Sequence, residues 1–233
     1  MKNFLLLILA GMLLSHPACG GTITGTVRAR GVDEAADKSA GGQYDSRKLK
    51  FVEKVNYAAL KDFVVFIEGQ VGDKPAVPEK SEKIETSRNK ITQDGAQFSP
   101  HVLPIVVGTT VQWPNNDRIY HNVFSFSDPK KFDLGVYKSG ESKDVTFDKP
   151  GRVDVFCSIH STMSCIVLVL ENRYFTKADE KTGGYTIKDV PPGKYKLKAW
   201  HERLPMQEQE ITVTEKGDVK ADFTMGITGL PKL

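Results

Sequence analysis

The pattern of apolar and polar positions predicts strands along almost the whole chain. Gly21-Thr22-Ile23-Thr24-Gly25-Thr26-Val27 alternates with a period of two. Phe63-Val64-Val65-Phe66-Ile67-Glu68-Gly69 is a β-branched and aromatic run that stops at a turn residue. Further strands are predicted over residues 102–107, 110–113, 120–126, 143–147, 152–157 and 166–170. The last, Ile166-Val167-Leu168-Val169-Leu170, is apolar throughout, which predicts a central strand covered on both faces. After it the texture changes. Gly184-Tyr185-Thr186-Ile187 and Tyr195-x-Leu197-x-Ala199-Trp200 alternate on either side of a Pro191-Pro192-Gly193 turn. Helical periodicity is scarce: only residues 44–60, with Leu49, Val52, Val55, Tyr57 and Leu60, suggest a short surface helix. Residues 32–46 read as loop, and the charge-alternating stretch 73–89 as an exposed, mobile one. The expectation is an all-β protein.

Composition narrows the function classes. With 233 residues, 39% hydrophobic and 26% charged, the chain has material for two small domains or one large one. A net charge of +3 without a basic patch argues against nucleic-acid binding. Residues 1–19 read as a signal peptide: Lys2, an apolar run from Phe4 to Leu14, then Pro17-Ala18. This implies a periplasmic or otherwise exported protein with no transmembrane span in the mature chain. Cys19 stands where a lipid anchor would attach, although His16 and Pro17 replace the aliphatic and small residues of such a box.

The chemistry concentrates in Cys157-Ser158-Ile159-His160-Ser161-Thr162-Met163 and, thirty-six residues earlier, in Tyr120-His121-Asn122. One thiolate, two imidazoles and one thioether form the donor set of a mononuclear copper site, a His₂Cys plane with a weak axial Met. Parity agrees: Cys157 shares a strand face with Val153 and Val155, and His121 with Ile119 and Val123. Taken singly, each residue has a plainer reading as a buried thiol, a satisfied histidine or core filler. An odd count of three cysteines also needs an explanation in an oxidising compartment. A Cys157–Cys165 disulfide is the competing one, but it gives His160 and Met163 no reason to sit at these spacings. A free, buried Cys165 is expected instead.

Phe98-x-Pro100, Val106-Val107-Gly108-Thr109-Thr110-Val111-x-Trp113-x-Asn115, Gly140-Glu141-Ser142, Phe147-x-x-Pro150-Gly151 and the Cys-His-Met loop resemble the cupredoxins, the plastocyanin/amicyanin/azurin family. The resemblance implies a Greek-key β-sandwich holding one Cu(I)/Cu(II) ion through His121, Cys157, His160 and Met163. It also implies that Asn122 stiffens the thiolate loop and that electrons pass at the His160 edge to protein redox partners. Residues 184–200 are similar to the second half of a transthyretin/carboxypeptidase-regulatory-like β-sandwich. Residues 172–226 are few for that fold, and residues 21–70 resemble its opening strands. The implied order is a signal peptide over 1–19, a cupredoxin domain over 71–171, and a second sandwich made of 172–226 joined to 21–70. In the alternative, residues 63–68 are the cupredoxin's own first strand.

The function implied is exported single-electron transfer, with no catalysis. A copper enzyme with an added three-histidine site would need more than His101 and His201, the two imidazoles left over. The other alternative is a partner- or carbohydrate-binding module whose copper is structural or in transit.

Overall fold

The computed structural model describes residues 20–31, 56–72, 89–215 and 217–226. The leader with Cys19, the loop at 32–46, most of the 44–60 helix and most of the 73–89 loop lie outside them. Within them the chain is all β, apart from a 3₁₀ turn at Tyr57–Ala59. No helix of the described residues is long and apolar enough to cross a membrane.

In chain order the strands are β1 (Gly21–Ala29), β2 (Val64–Ile67), β3 (Thr92–Asp94), β4 (Gln97–Ser99), β5 (Val102–Val106) and β6 (Thr109–Pro114). They continue with β7 (His121–Ser125), β8 (Phe132–Tyr137), β9 (Ser142–Phe147), β10 (Gly151–Phe156), β11 (Ser164–Leu170) and β12 (Phe175–Lys177). The last are β13 (Gly184–Val190), β14 (Gly193–His201), β15 (Leu204–Val213), β16 (Val219–Lys220) and β17 (Phe223–Met225).

Three hydrophobic clusters set the layers. A sheet ordered β5-β11-β10-β7-β8 faces the β6-β9 and β3-β4 pairs across a core that includes Trp113, Phe147, Val123, Val155 and Val167. A sheet ordered β12-β2-β14-β15 faces β1, β13, β16 and β17 across a second core built on Ile23, Val65, Ile67, Ile187, Leu197 and Phe223. The third cluster lies between these two sandwiches: Val102, Ile166, Leu168 and Leu170 meet Val64, with Phe66, Phe175 and Trp200 packed around them.

The continuous apolar runs now have a physical reason. In β11, Cys165, Val167 and Val169 point into one core while Ile166, Leu168 and Leu170 point into the interface. In β2, Val65 and Ile67 serve the second core and Val64 the interface. Neither strand has a polar face because neither has a wet side.

Strands from both ends of the chain share sheets. β1 pairs antiparallel with β13 and parallel with β16 and β17. β2 pairs antiparallel with β12 and β14. Gly25 is obligatory in this arrangement, since a Cβ there would collide with the Ala221 carbonyl oxygen. Where the chain leaves β2 and returns before β12, the buried Asn172 amide donates to the carbonyls of Ile67 (2.8 Å) and Gly69 (2.6 Å). Its own oxygen accepts from the Tyr174 N–H at 2.8 Å.

One local expectation needs correction, and one strand was not foreseen. Ile119 is exposed and does not share a buried face with His121, because β7 begins at His121 itself. β8 was not anticipated from the pattern. It lies at the sheet edge, its exposure is irregular, and Gly135 at φ +65° breaks the alternation.

Candidate metal centre

The site forms where the β6–β7 loop meets the loop between β10 and β11. Asn115 shapes the first. Its amide donates to the carbonyls of Ile119 (2.9 Å) and Tyr137 (3.2 Å), and its oxygen accepts from the Asp117 N–H at 3.0 Å. This turns the Asp117 carboxylate inward. It accepts the N–H groups of Gly95 (2.7 Å) and Ala96 (2.9 Å) and the Nε2–H of His121 at 2.7 Å. Burial alone would raise the Asp117 pKa. The bonds from Ala96, His121 and Gly95 outweigh it and hold the group below its ordinary value.

That carboxylate fixes His121. With Nε2 donating to Asp117, Nδ1 of the neutral ring keeps its lone pair for the other side. Nδ1 faces His160 Nδ1 at 3.1 Å and Cys157 Sγ at 3.9 Å. The third edge, Sγ to His160 Nδ1, is also 3.9 Å. His121 is fully buried and Cys157 nearly so, whereas His160 is half-buried at the surface of the loop.

Residues 157–163 close on themselves. The Met163 N–H donates to the His160 carbonyl at 3.0 Å, and the Cys157 N–H donates to the Met163 carbonyl at 3.2 Å. Met163 is buried in the same core as Cys157. Asn122 reaches the loop from β7: its N–H lies 3.5 Å from Cys157 Sγ, and its amide donates to Ser158 Oγ at 3.1 Å.

A copper ion fits this donor set. A triangle with edges of 3.1, 3.9 and 3.9 Å has its centre about 2.1 Å from each corner, which is a metal–imidazole bond length and slightly short for metal–thiolate. Among the described residues these three side chains are the group of His, Cys and acidic donors that can converge on one metal ion.

The surroundings are buried and braced. Tyr137 pairs with His121 across β7 and β8, and its hydroxyl donates to the Trp113 carbonyl at 2.8 Å. Gln93 donates to that hydroxyl at 2.5 Å. Burial pushes the Tyr137 pKa up to about 12, against the Gln93 bond, so the ring stays neutral. Cys165 is a free, buried thiol pushed well up by burial. His201 is buried in the second sandwich, accepts the Arg203 N–H at 3.1 Å and is displaced downward by burial. His101 stands outside the centre.

Sequence reasoning missed Asp117 and Asn115's role in turning it. The signal available was a carboxylate four residues before a candidate ligand, which acquires meaning only once the loop direction is known.

Residues 85–170 match the family model of copper-binding proteins of the plastocyanin/azurin family. This chain carries a cupredoxin domain. The family binds a single mononuclear copper, and all four candidate ligands fall inside the matched segment. Residues 167–221 match domain II of polysaccharide lyase family 4, an fn3-like module, in agreement with a second β-sandwich. The cupredoxin domain is one part of the chain, and the second sandwich is packed against its β11 face. Among solved structures, the chain is similar to the copper-containing nitrite reductase NirK from Thermus scotoductus SA-01, at 33% identity and a TM-score of 0.34 over 36% of this chain. It spans 22% of that enzyme's length. A novel purple cupredoxin from Nitrosopumilus maritimus matches at 28% identity and a TM-score of 0.31, over 34% of this chain and 97% of that one. A single-residue mutant of amicyanin in the Cu(I) state matches at 19% identity and a TM-score of 0.34, over 45% of this chain and 97% of that one.

Proposed function

We propose that this chain is an exported one-electron carrier whose copper is held by His121, Cys157, His160 and Met163. The observation that carries the reading is the triangle of two Nδ1 atoms and one Sγ, sized for a single ion. Bound copper supplies a Cu(I)/Cu(II) couple. The residues supply rigidity: Asp117 locks the His121 ring, Asn122 and the Met163 backbone lock the loop, and packed strands back both. Little rearrangement between oxidation states favours fast exchange. His160 is the candidate ligand nearest solvent, next to exposed Ile159, and it is the proposed point of exchange with protein redox partners.

Residues 71–171 are proposed as the copper domain, and 21–70 with 172–226 as one split sandwich. The pairing of β1 with β13 and of β2 with β12 and β14 supports this division. The absence of catalysis is part of the proposal: His101 and His201 are engaged with partners of their own, His101 with Glu202 and Ser164 and His201 with the Arg203 N–H. Copper-loaded protein should hold one ion per chain and absorb intensely at ~600 nm through thiolate-to-Cu(II) charge transfer. Cys157→Ser should abolish the colour. A colourless reconstituted wild type would sink the assignment.

A further inference from the structure

One histidine links the second sandwich to the strand end that follows the candidate copper loop. His101 lies just before β5, and its carbonyl accepts the Ile166 N–H at 2.8 Å. Its Nδ1 is 3.2 Å from the carbonyl oxygen of Ser164, the residue that follows Met163. Its Nε2 is 3.0 Å from Glu202 Oε2, in the turn between β14 and β15 of the other sandwich. Both partners are oxygen acceptors, and the ring faces them with its two nitrogens. Glu202 is held in turn by Arg152, whose guanidinium donates to the Glu202 carbonyl at 3.2 Å. The same guanidinium bonds Asp154 and lies over the Trp200 ring at 5.9 Å.

These contacts form one continuous path: Trp200 and Glu202 on the second sandwich, then His101, then Ser164, then Met163. Below it the interface cluster covers the outward face of β11. The strand that emerges from the copper loop is therefore fixed on one side by its own core and on the other by the neighbouring sandwich. The axial thioether is the weakest bond of such a centre and the one whose position tunes its potential. A neighbour that fixes the strand one residue past that thioether fixes its approach.

We infer that His101 is a positioning residue for Met163, and that the second sandwich sets the axial side of the copper centre through Glu202. This rests on the four-ligand reading given above. The test uses the full chain loaded with copper. His101→Ala and Glu202→Ala are compared with wild type for copper content, midpoint potential and the relative intensity of the two thiolate-to-copper bands. Both variants are expected to hold one copper and remain coloured. Both should shift potential and band ratio in the same direction, and the double variant should go no further than the larger single. Glu202→Gln keeps an acceptor for Nε2 and should return most of the way to wild type. Glu202 sits on a surface turn, so Glu202→Ala carries the test even if His101→Ala fails to fold. Unchanged potential and spectrum in Glu202→Ala would overturn the inference, as would strictly additive effects of the two substitutions. Failure of the ligand reading looks different: Met163→Gln would then leave the wild-type potential and spectrum untouched.

Discussion

Asp117 decides which nitrogen of His121 is free, and it does so from outside the triangle of candidate ligands. Removing its charge while keeping its shape is the informative change. Asp117→Asn should lower copper affinity about 10–100-fold, the usual effect of losing a carboxylate that orients a ligating histidine. Competition against a copper chelator reads this directly, and affinity within a factor of two of wild type would show that His121 is oriented by the loop alone. A second residue-scale consequence comes from His201. Burial depresses its pKa, so below the ordinary imidazole value of about 6.5 the unfolded chain takes up a proton that the folded chain resists. Its contribution is complete above that value and is lost as pH falls toward the lower folded one. Thermal midpoints measured from pH 8 to pH 5 should therefore fall more steeply for wild type than for His201→Gln. Equal slopes would show that this ring does not drive the acid loss.

At the scale of elements, β11 does double duty, and its two faces should fail differently. Leu168→Ala opens the interface rather than the copper core. It should cost about 2–5 kcal/mol in urea denaturation, as large-to-small changes at buried leucines do, while leaving the absorption of the proposed copper centre in place. Loss of colour at unchanged stability would contradict the separation of the faces. The same strand shows what a sequence can disclose. The apolar runs in β2 and β11 announce burial on both sides, but they cannot say that the second side is another sandwich, because interface and core residues are of the same kind. The candidate ligands Cys157, His160 and Met163 stand out in the sequence because one loop carries them at ligand spacing. Asp117 does not, since its meaning depends on a turn that Asn115 builds from three hydrogen bonds. β8 stayed hidden for another reason: as an edge strand interrupted by Gly135 it needs no clean alternation.

For the whole molecule, the proposed split sandwich makes the first seventy residues indispensable to the last sixty. A chain truncated to begin at Val71 would lack β1 and β2, leaving β13 and β14 with open edges and the second core half empty. It should aggregate. If instead it stays a soluble monomer whose amides over residues 184–213 resist exchange, the two sandwiches are sequential and the proposed division is wrong. The Asn172 bonds to Ile67 and Gly69 carry a further consequence, one of timing. During synthesis β1 and β2 emerge long before the strands they pair with, and they must wait. On the proposed division, the copper domain is completed in the interval. As it folds it draws the two chain ends at Asn172 and Gly69 together, replacing a loop of about a hundred residues by a closed one and removing much of the entropy that would oppose closure. The second sandwich is then assembled around a finished neighbour, and the contact between Glu202 and His101 is among the last to form.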